Sequence, residues 1–286
     1  MAAEQSPTVR RRRLGHELRE LREQARFTLD EAAARLEDFS AAKISRIETA
    51  KVGVRPRDVE DLLTLYGVQD AQHRKNLLTL TREARQRGWW EQFGDAISPS
   101  QELFIGLESE AVLIRVFSTE VISGLFQTEA YAREVLKAIW FAEPPEHIER
   151  RVQARMARQK ILKRQDRPEI RCIFEENVLR RPVGGHEIHR AQLQRLADAA
   201  DYSKVSIRVL PLSIGAHPGN DGTFEIVNLP PPDPSVVFVE YRAGGIYMEQ
   251  EEVNLYSDIF MRLEDAAMDS QQSLALIRTL SGEEAR

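Results

Sequence analysis

Cysteine is almost missing from this chain: Cys172 stands alone in 286 residues. A single thiol closes no internal disulfide and builds no cysteine metal cluster, which fits a reducing compartment. No run approaches the ~18 consecutive apolar residues that a membrane helix needs, and the opening MAAEQSPTVRRRR has no apolar core of the signal-peptide kind. The expectation is a cytoplasmic protein with no membrane contact. Aromatic residues make up only 7% of the chain. The adjacent pair Trp89-Trp90 provides no track of rings for a single nucleic-acid strand, so both are expected to be buried anchors. Phosphate-cradling glycine loops are absent too, since Gly184-Gly185 and Gly244-Gly245 fit neither G-x-G-x-x-G nor G-x-x-x-x-G-K-S/T. No internal repeat is visible, and Pro230 to Pro232 reads as a loop.

What is present is enough apolar residue, 42%, for real cores, and a length that favours two domains. The net charge of −5 conceals a division. From Met1 to Arg57 lysine and arginine number 13 against 9 acidic residues, a net of +4, which leaves −9 for the remainder. A basic segment attached to an acidic one points to polyanion contact by the first, although scattered solvated charge accounts for it equally. Residues 1–9 carry no pattern and are expected to be disordered. Residues 10–88 read as a helical domain, 89–99 as a linker containing Gly94 and Pro99, and 100–286 as a second domain.

The first domain is organised around Thr28 to Lys51. Leu29, Ala32, Ala33 and Leu36 recur at helical spacing, and Ile44 and Ile47 continue the pattern after a turn at Glu37 to Phe39. Ser40 is a natural N-cap for the second helix. Ala41, Ala42, Lys43, Ser45 and Arg46 are left outside: small residues that permit close approach, and two cations, as a major-groove helix requires. Leu14, Leu18 and Leu21 stripe a helix ahead of this pair. Val59, Leu62, Leu63 and Tyr66 define another between a break at Pro56 and a stop at Gly67, and a fifth, capped by Asp70, is expected to run to Arg87. About five helices with short connections make a bundle of the kind DNA-binding domains use. The run Arg10, Arg11, Arg12 and Arg13 reads either as an arm for phosphate or the minor groove or as a solvated helix start.

LGHELRELREQARFTLDEAAARL, followed by S-x-x-K-I-S-R-I-E at Ser40 to Glu48, resembles the XRE (Cro/repressor-like) helix-turn-helix family. The resemblance implies a recognition helix starting at Ser40, with Ala41, Ala42, Ser45 and Arg46 at base-reading positions. Arg46 is the candidate for guanine, whose two major-groove acceptors suit its fork. Thr28, Ser40 and Lys43 are expected on phosphates, which position without reading sequence. Glu48 is expected to pair with Arg22 as an internal brace. Leu29 stands where relatives often carry a phosphate-binding glutamine, and Arg26 and Ala50 stand in place of commonly found glycines.

In the second domain a helix is expected over 100–111, a strand over 112–117, a helix over 128–140, and a long basic amphipathic helix over 146–164. Strands follow at 170–174, 205–210, 224–227, 236–241 and 245–248, with a helix at 186–200 and two closing helices, at 253–267 and 271–280. The mixture makes an α+β domain. L-E-S-E-A at Leu107 to Ala111, S-G-L-F-Q-T-E-A-Y-A at Ser123 to Ala132, R-M-A-R-Q-K-I-L at Arg155 to Leu162 and G-x-F-E-I at Gly222 to Ile226 are similar to the C-terminal domain of actinobacterial antitoxin-like XRE regulators. Ser123 and Phe126 depart mildly from the usual Pro-Gly-Leu-Leu-Gln-Thr. The resemblance implies a regulatory or interaction module, with a small protein encoded nearby as partner.

No catalytic constellation emerges. His186, Glu187 and His189 lack the i, i+4 histidine spacing of a zinc-protease helix. His217, Asp221 and Glu225 flank a glycine-rich turn and could line a pocket or form an ordinary polar loop. Cys172, in a strand with Ile170, Ile173 and Phe174, reads as a small buried hydrophobe. Arg150, Arg151, Arg155, Arg158, Lys160, Lys163 and Arg164 make the 146–164 helix basic, either for contact with an acidic partner protein or DNA flanking the operator, or as an exposed face balanced by Glu146, Glu149 and the acidic rest of the domain. The expectation is therefore a homodimeric, sequence-specific regulator of double-stranded DNA, without enzymatic activity, cofactor or metal. Two alternatives stay open: an antitoxin-like interaction protein set by a small partner, and a small-molecule-gated regulator using the region near His217.

Overall fold

The computed structural model describes residues 7–85, 88–231, 233–242 and 244–282, with side chains from Arg10 onward. Contacts divide the chain into two compact units, Met1–Glu91 and Gln92–Arg286. The division falls inside the segment expected as a linker, which is less loose than expected: Trp89–Phe93 form a 3-10 turn, and Trp90 is buried while Trp89 is exposed.

The first unit holds five helices among the described residues: α1 Pro7–Gln24, α2 Leu29–Ala34, α3 Ala41–Glu48, α4 Pro56–Leu65 and α5 Ala71–Glu83. Of the segment expected to be disordered, residues 1–6 lie outside the described residues, and 7–9 already belong to α1. Gln86 and Arg87, where α5 was expected to end, also lie outside them. Leu14 and Leu18 of α1 meet Ala32, Ile44, Ile47, Val59, Leu62 and Leu63 in one core, as the 3.6-residue spacing of those positions demands. Pro56 opens α4 rather than merely breaking the chain, because its missing N–H has no partner to lose in a first turn. Asp70 caps α5 by accepting from the N–H groups of Gln72 and His73.

Three of these helices end alike. After α1, α3 and α4 the chain turns back through Arg26 (φ 59°), Ala50 (φ 57°) and Gly67 (φ 73°). Each turn donates two N–H groups to the helix's last free carbonyls, the paired bonds of a Schellman ending. Arg26 and Ala50 thus hold left-handed backbone that glycine would adopt without strain. Gly15 is required for another reason: a Cβ there would stand 2.5 Å from the carbonyl oxygen of Glu48, so α1 and the end of α3 touch backbone to backbone.

The second unit contains α6 Pro99–Glu108, β1 Leu113–Ser118, α7 Glu129–Ile139, α8 Pro145–Arg158, β2 Glu169–Glu175, α9 Glu176–Arg180, α10 His186–Ala200, β3 Val205–Leu210, β4 Phe224–Asn228, β5 Val236–Tyr241, β6 Gly244–Met248, α11 Glu251–Ala266 and α12 Ser270–Ser281. The strands form one sheet in the order β3-β2-β1-β4-β5-β6. β1, β2 and β3 run parallel, joined through helices, whereas β4, β5 and β6 are antiparallel, as their short connections allow. One face, with Phe117, Ile173, Leu210, Phe224, Ile226 and Val237, packs on Phe260 and Leu263 of α11. The other carries Val116, Cys172, Ile207, Glu225 and Phe238, side by side in the strand register. The basic helix is shorter than expected: α8 stops at Arg158 and tightens into a 3-10 turn over Gln159–Lys163. Pro232, in the expected proline loop, lies outside the described residues. No helix among the described residues is long and apolar enough to cross a membrane.

Candidate nucleic-acid interface

Two capped helices and a tight turn build the site. The Thr28 hydroxyl accepts from the N–H of Glu31 at 3.2 Å, while the Glu31 carboxylate accepts from the N–H and the hydroxyl of Thr28, each at 2.9 Å. This reciprocal box starts α2. The turn passes through Asp38 at φ 62°, and Ser40 opens α3 by accepting from the N–H of Lys43 at 3.1 Å. Ile44 and Ile47 are buried, Ala42 and Arg46 are exposed, and Ala41, Lys43 and Ser45 are half-buried. One side of α3 therefore faces the core, and a side of small residues plus Arg46 faces out.

The Arg46 Nε donates to the carbonyl of Ala42 at 3.2 Å, so the guanidinium folds back along its own helix. Among the described residues it has no carboxylate partner, and its fork is available. Lys43 is more engaged than its expected phosphate role implies. Its Nζ is 3.3 Å from the Asp58 carboxylate, donates to the Asp38 carbonyl at 3.2 Å, and lies 4.0 Å from the centre of the Phe39 ring. Thr28 likewise already spends its hydroxyl on Glu31.

Arg22 and Glu48 meet as a fork on a carboxylate. Nε donates at 2.7 Å and Nη2 at 2.9 Å, and Nη1 reaches the Phe27 carbonyl at 2.8 Å. The side chains are 10% and 5% exposed. The hydrogen bond with Glu48 raises the Arg22 pKa against the cost of burial, and the guanidinium and carboxylate match as a two-pronged pair inside the fold. Burial, with Glu48 nearby, pushes the Tyr66 hydroxyl well above its ordinary range.

Arg10 to Arg13 do not form an arm. They lie within α1, whose start at Pro7 spreads four consecutive residues around the helix, and part of that circumference faces α5. Arg10 is 5% exposed, with its Nε 3.5 Å from the Glu83 carboxylate, and Arg11 donates to the Ala84 carbonyl at 3.4 Å. Arg12 and Arg13 are half-buried. Two contributors escaped the sequence reading, although one was visible in it. The T-x-x-E box at Thr28 to Glu31 is a recognisable cap; Gly15 gave no sign of its contact, which joins residues far apart in the chain.

Elsewhere the candidate groupings dissolve. His189 is buried, its Nε2 2.7 Å from the Leu179 carbonyl, while His186 and Glu187 are exposed. His217 does not share a pocket with Asp221 and Glu225. Its Nε2 faces the Glu175 carboxylate at 3.0 Å and its Nδ1 accepts from Gly219; Asp221 is exposed, and Glu225 reaches Arg158 from the other side of the sheet. Burial pushes the Cys172 thiol well up, away from reactivity. Among the described residues no group of three or more His, Cys, Asp or Glu is placed to hold a metal ion.

Residues 13–75 match a helix-turn-helix domain, a span running from α1 into α5. Residues 101–279 match a domain of unknown function, DUF5753. No curated protein and no solved structure matches the chain. The larger match covers well over half of the chain, so the protein belongs to the DUF5753 family and carries, ahead of that domain, a helix-turn-helix domain of the kind found in DNA-binding regulators.

Proposed function

We propose that the protein is a cytoplasmic, sequence-specific transcription regulator of the XRE (Cro/repressor-like), antitoxin-like type, which binds double-stranded DNA through α3 and performs no catalysis. The observation that carries the reading is the outer side of α3: Ala42 and Arg46 exposed beside the half-buried Ala41 and Ser45, on a helix whose inner side buries Ile44 and Ile47. Small side chains let the helix backbone approach base edges, and the fork of Arg46 matches the two acceptors of guanine. Ser40, Lys43 and Thr28 border the same side and serve phosphates once their local partners are exchanged for them. Glu48 is no liability next to DNA, because Arg22 already neutralises it.

One α3 reads few base pairs, so the protein acts as a homodimer on half-sites one helical turn apart, about 34–36 Å. Sequencing of DNA bound in the cell is expected to return a palindrome with that spacing; an unstructured set of fragments would sink the dimer reading. Arg46→Ala is expected to lose ~1–3 kcal/mol of discrimination at one base pair, at fixed salt. Full operator preference in that variant would remove Arg46 from base reading.

A further inference from the structure

Four separate blocks carry the likeness of the second unit to its relatives, and the fold gathers all four at one place. Glu108 comes from the first, Gln127 from the second, Arg155, Arg158 and Gln159 from the third, and Glu225 from the fourth. Arg158 forks onto Glu108 at 2.6 and 2.7 Å and reaches Glu225 at 3.4 Å. One turn earlier on α8, Arg155 donates to Gln127 at 2.8 Å. Gln159 donates to the carbonyls of Gly124 and Gln127 at 2.8 and 2.7 Å, and Gln127 to that of Ile122 at 2.6 Å, which fixes the loop ahead of α7.

Of these groups Arg155, Arg158 and Glu225 line a cavity of about 60 Å³ between α6, α8 and the antiparallel half of the sheet, and Glu108, Gln127 and Gln159 hold them from behind. Such a volume holds roughly four to six waters. Phe104 and Phe238, stacked at 4.4 Å, give it an apolar wall. The charges lining it do not cancel in place. Arg158 is matched by Glu108, and Arg151 by Glu143 at 2.7 Å. That leaves Arg155, which makes no ion pair among the described residues. Glu225, 16% exposed, has among the described residues one ion-pair contact, at 3.4 Å with Arg158. Glu240, exposed at the mouth, accepts from the Gln101 amide at 2.6 Å and makes no ion pair among the described residues. Withdrawing charges from water without close partners is costly, and a fold that needed only a filled interior would place apolar residues here.

We propose that this cavity is the ligand site of the DUF5753 domain and takes a small zwitterion of amino-acid chemistry, its carboxylate on Arg155 and its ammonium between Glu225 and Glu240. Opposite charges in one small cavity favour a molecule that carries both and has little bulk, with any apolar group against Phe104 and Phe238. The electrostatics agree: burial pushes Glu225 up to about 7 and Arg155 down to about 10, as expected of charges awaiting a counter-ion. The site replaces the region near His217 as the place where a small molecule acts. It does not rest on the DNA-binding reading, because binding is measured here without DNA.

The test is calorimetric titration of the full chain with the twenty common amino acids, and with ethylamine and propionate as the single-charge counterparts of alanine. At least one amino acid is expected to bind, with alanine, if it binds, preferred over both counterparts. For the best ligand, Arg155→Gln and Glu225→Gln are each expected to weaken binding about tenfold or more, and Glu240→Gln by less. Circular dichroism checks that the variants fold, and the exposed Glu240 provides a variant that leaves the interior untouched. Absence of binding by every amino acid overturns the proposal. So does binding that Arg155→Gln and Glu240→Gln leave unchanged, or propionate binding as tightly as alanine.

Discussion

On α3 the guanidinium of Arg46 lies along its own helix with solvent on its outer side, whereas on α8 each arginine reaches across the fold for a partner. Arg150 bonds Asp95, Arg151 bonds Glu143, Arg155 bonds Gln127, and Arg158 bonds Glu108. Both helices look basic in the sequence, and α8 more so. Yet α8 spends Arg151, Arg155 and Arg158 on partners within the second unit, so for these three neither an open surface for a partner nor a face balanced by Glu146 and Glu149 holds, while Lys160 and Lys163 beyond its end are exposed. The difference teaches that a cation's use is set by what its helix packs against. α3 leaves one side open, while α8 packs on α7 and sends Arg158 to carboxylates on α6 and β4.

Glu108→Ala should break that contrast most severely. It strands Arg158 in the interior beside the weaker Glu225, and is expected to cost about 3–5 kcal/mol, measured by denaturant unfolding of the full chain. A cost below about 1 kcal/mol would place the α8 arginines with ordinary surface pairs. Gly15→Ala comes next. Its Cβ, 2.5 Å from the Glu48 carbonyl, must push α1 from α3 and is expected to cost about 1–3 kcal/mol and to weaken operator binding; both are readable on one sample.

A smaller effect separates the units by pH. The folded pKa of Glu225 lies above its ordinary value because of burial. Its favourable contribution is therefore complete below the ordinary carboxylate range and is lost as pH rises toward about 7. The second unit should become less stable over that window, and Glu225→Gln should flatten the decline; an unchanged slope would argue against a buried carboxyl. Ala50→Gly should stabilise the first unit by about 0.5–1 kcal/mol, since φ 57° suits glycine. Smallest of all, Arg46→Ala should leave unfolding within about 0.5 kcal/mol; a larger loss would make Arg46 a structural residue like those of α8.

Much of this fold was legible because its periodicities are local. The spacing of Leu14 and Leu18 and of Ile44 and Ile47 marks the inner faces of α1 and α3, and β3, β5 and α10 begin and end where the expected segments do. Sheet order was not legible, since it is set by pairings between segments far apart in the chain, β1 lying between β2 and β4. Nor was the direction of the α8 side chains, because Glu108 and Glu225 lie 50 and 67 residues from Arg158. The helix-turn-helix itself was readable down to the residues of its brace, Arg22 and Glu48, through likeness to a family. Arg26 and Ala50 stand where glycine is common in that family, and their positive φ angles give the reason glycine is favoured at those places.

The single guanidinium of Arg22 holds the last residue of α3 through Glu48 and the chain ahead of α2 through the Phe27 carbonyl. Both ends of the helix pair are thereby anchored to α1, and little freedom remains to be lost on docking. On the reading proposed above, a bundle so stiff meets a duplex with its own shape already decided. Any mismatch of curvature or groove width must then be absorbed by the nucleic acid, and the energy of bending it depends on base steps that α3 never touches. Operator preference would then extend beyond the contacted bases, into flanking steps chosen for how readily they yield.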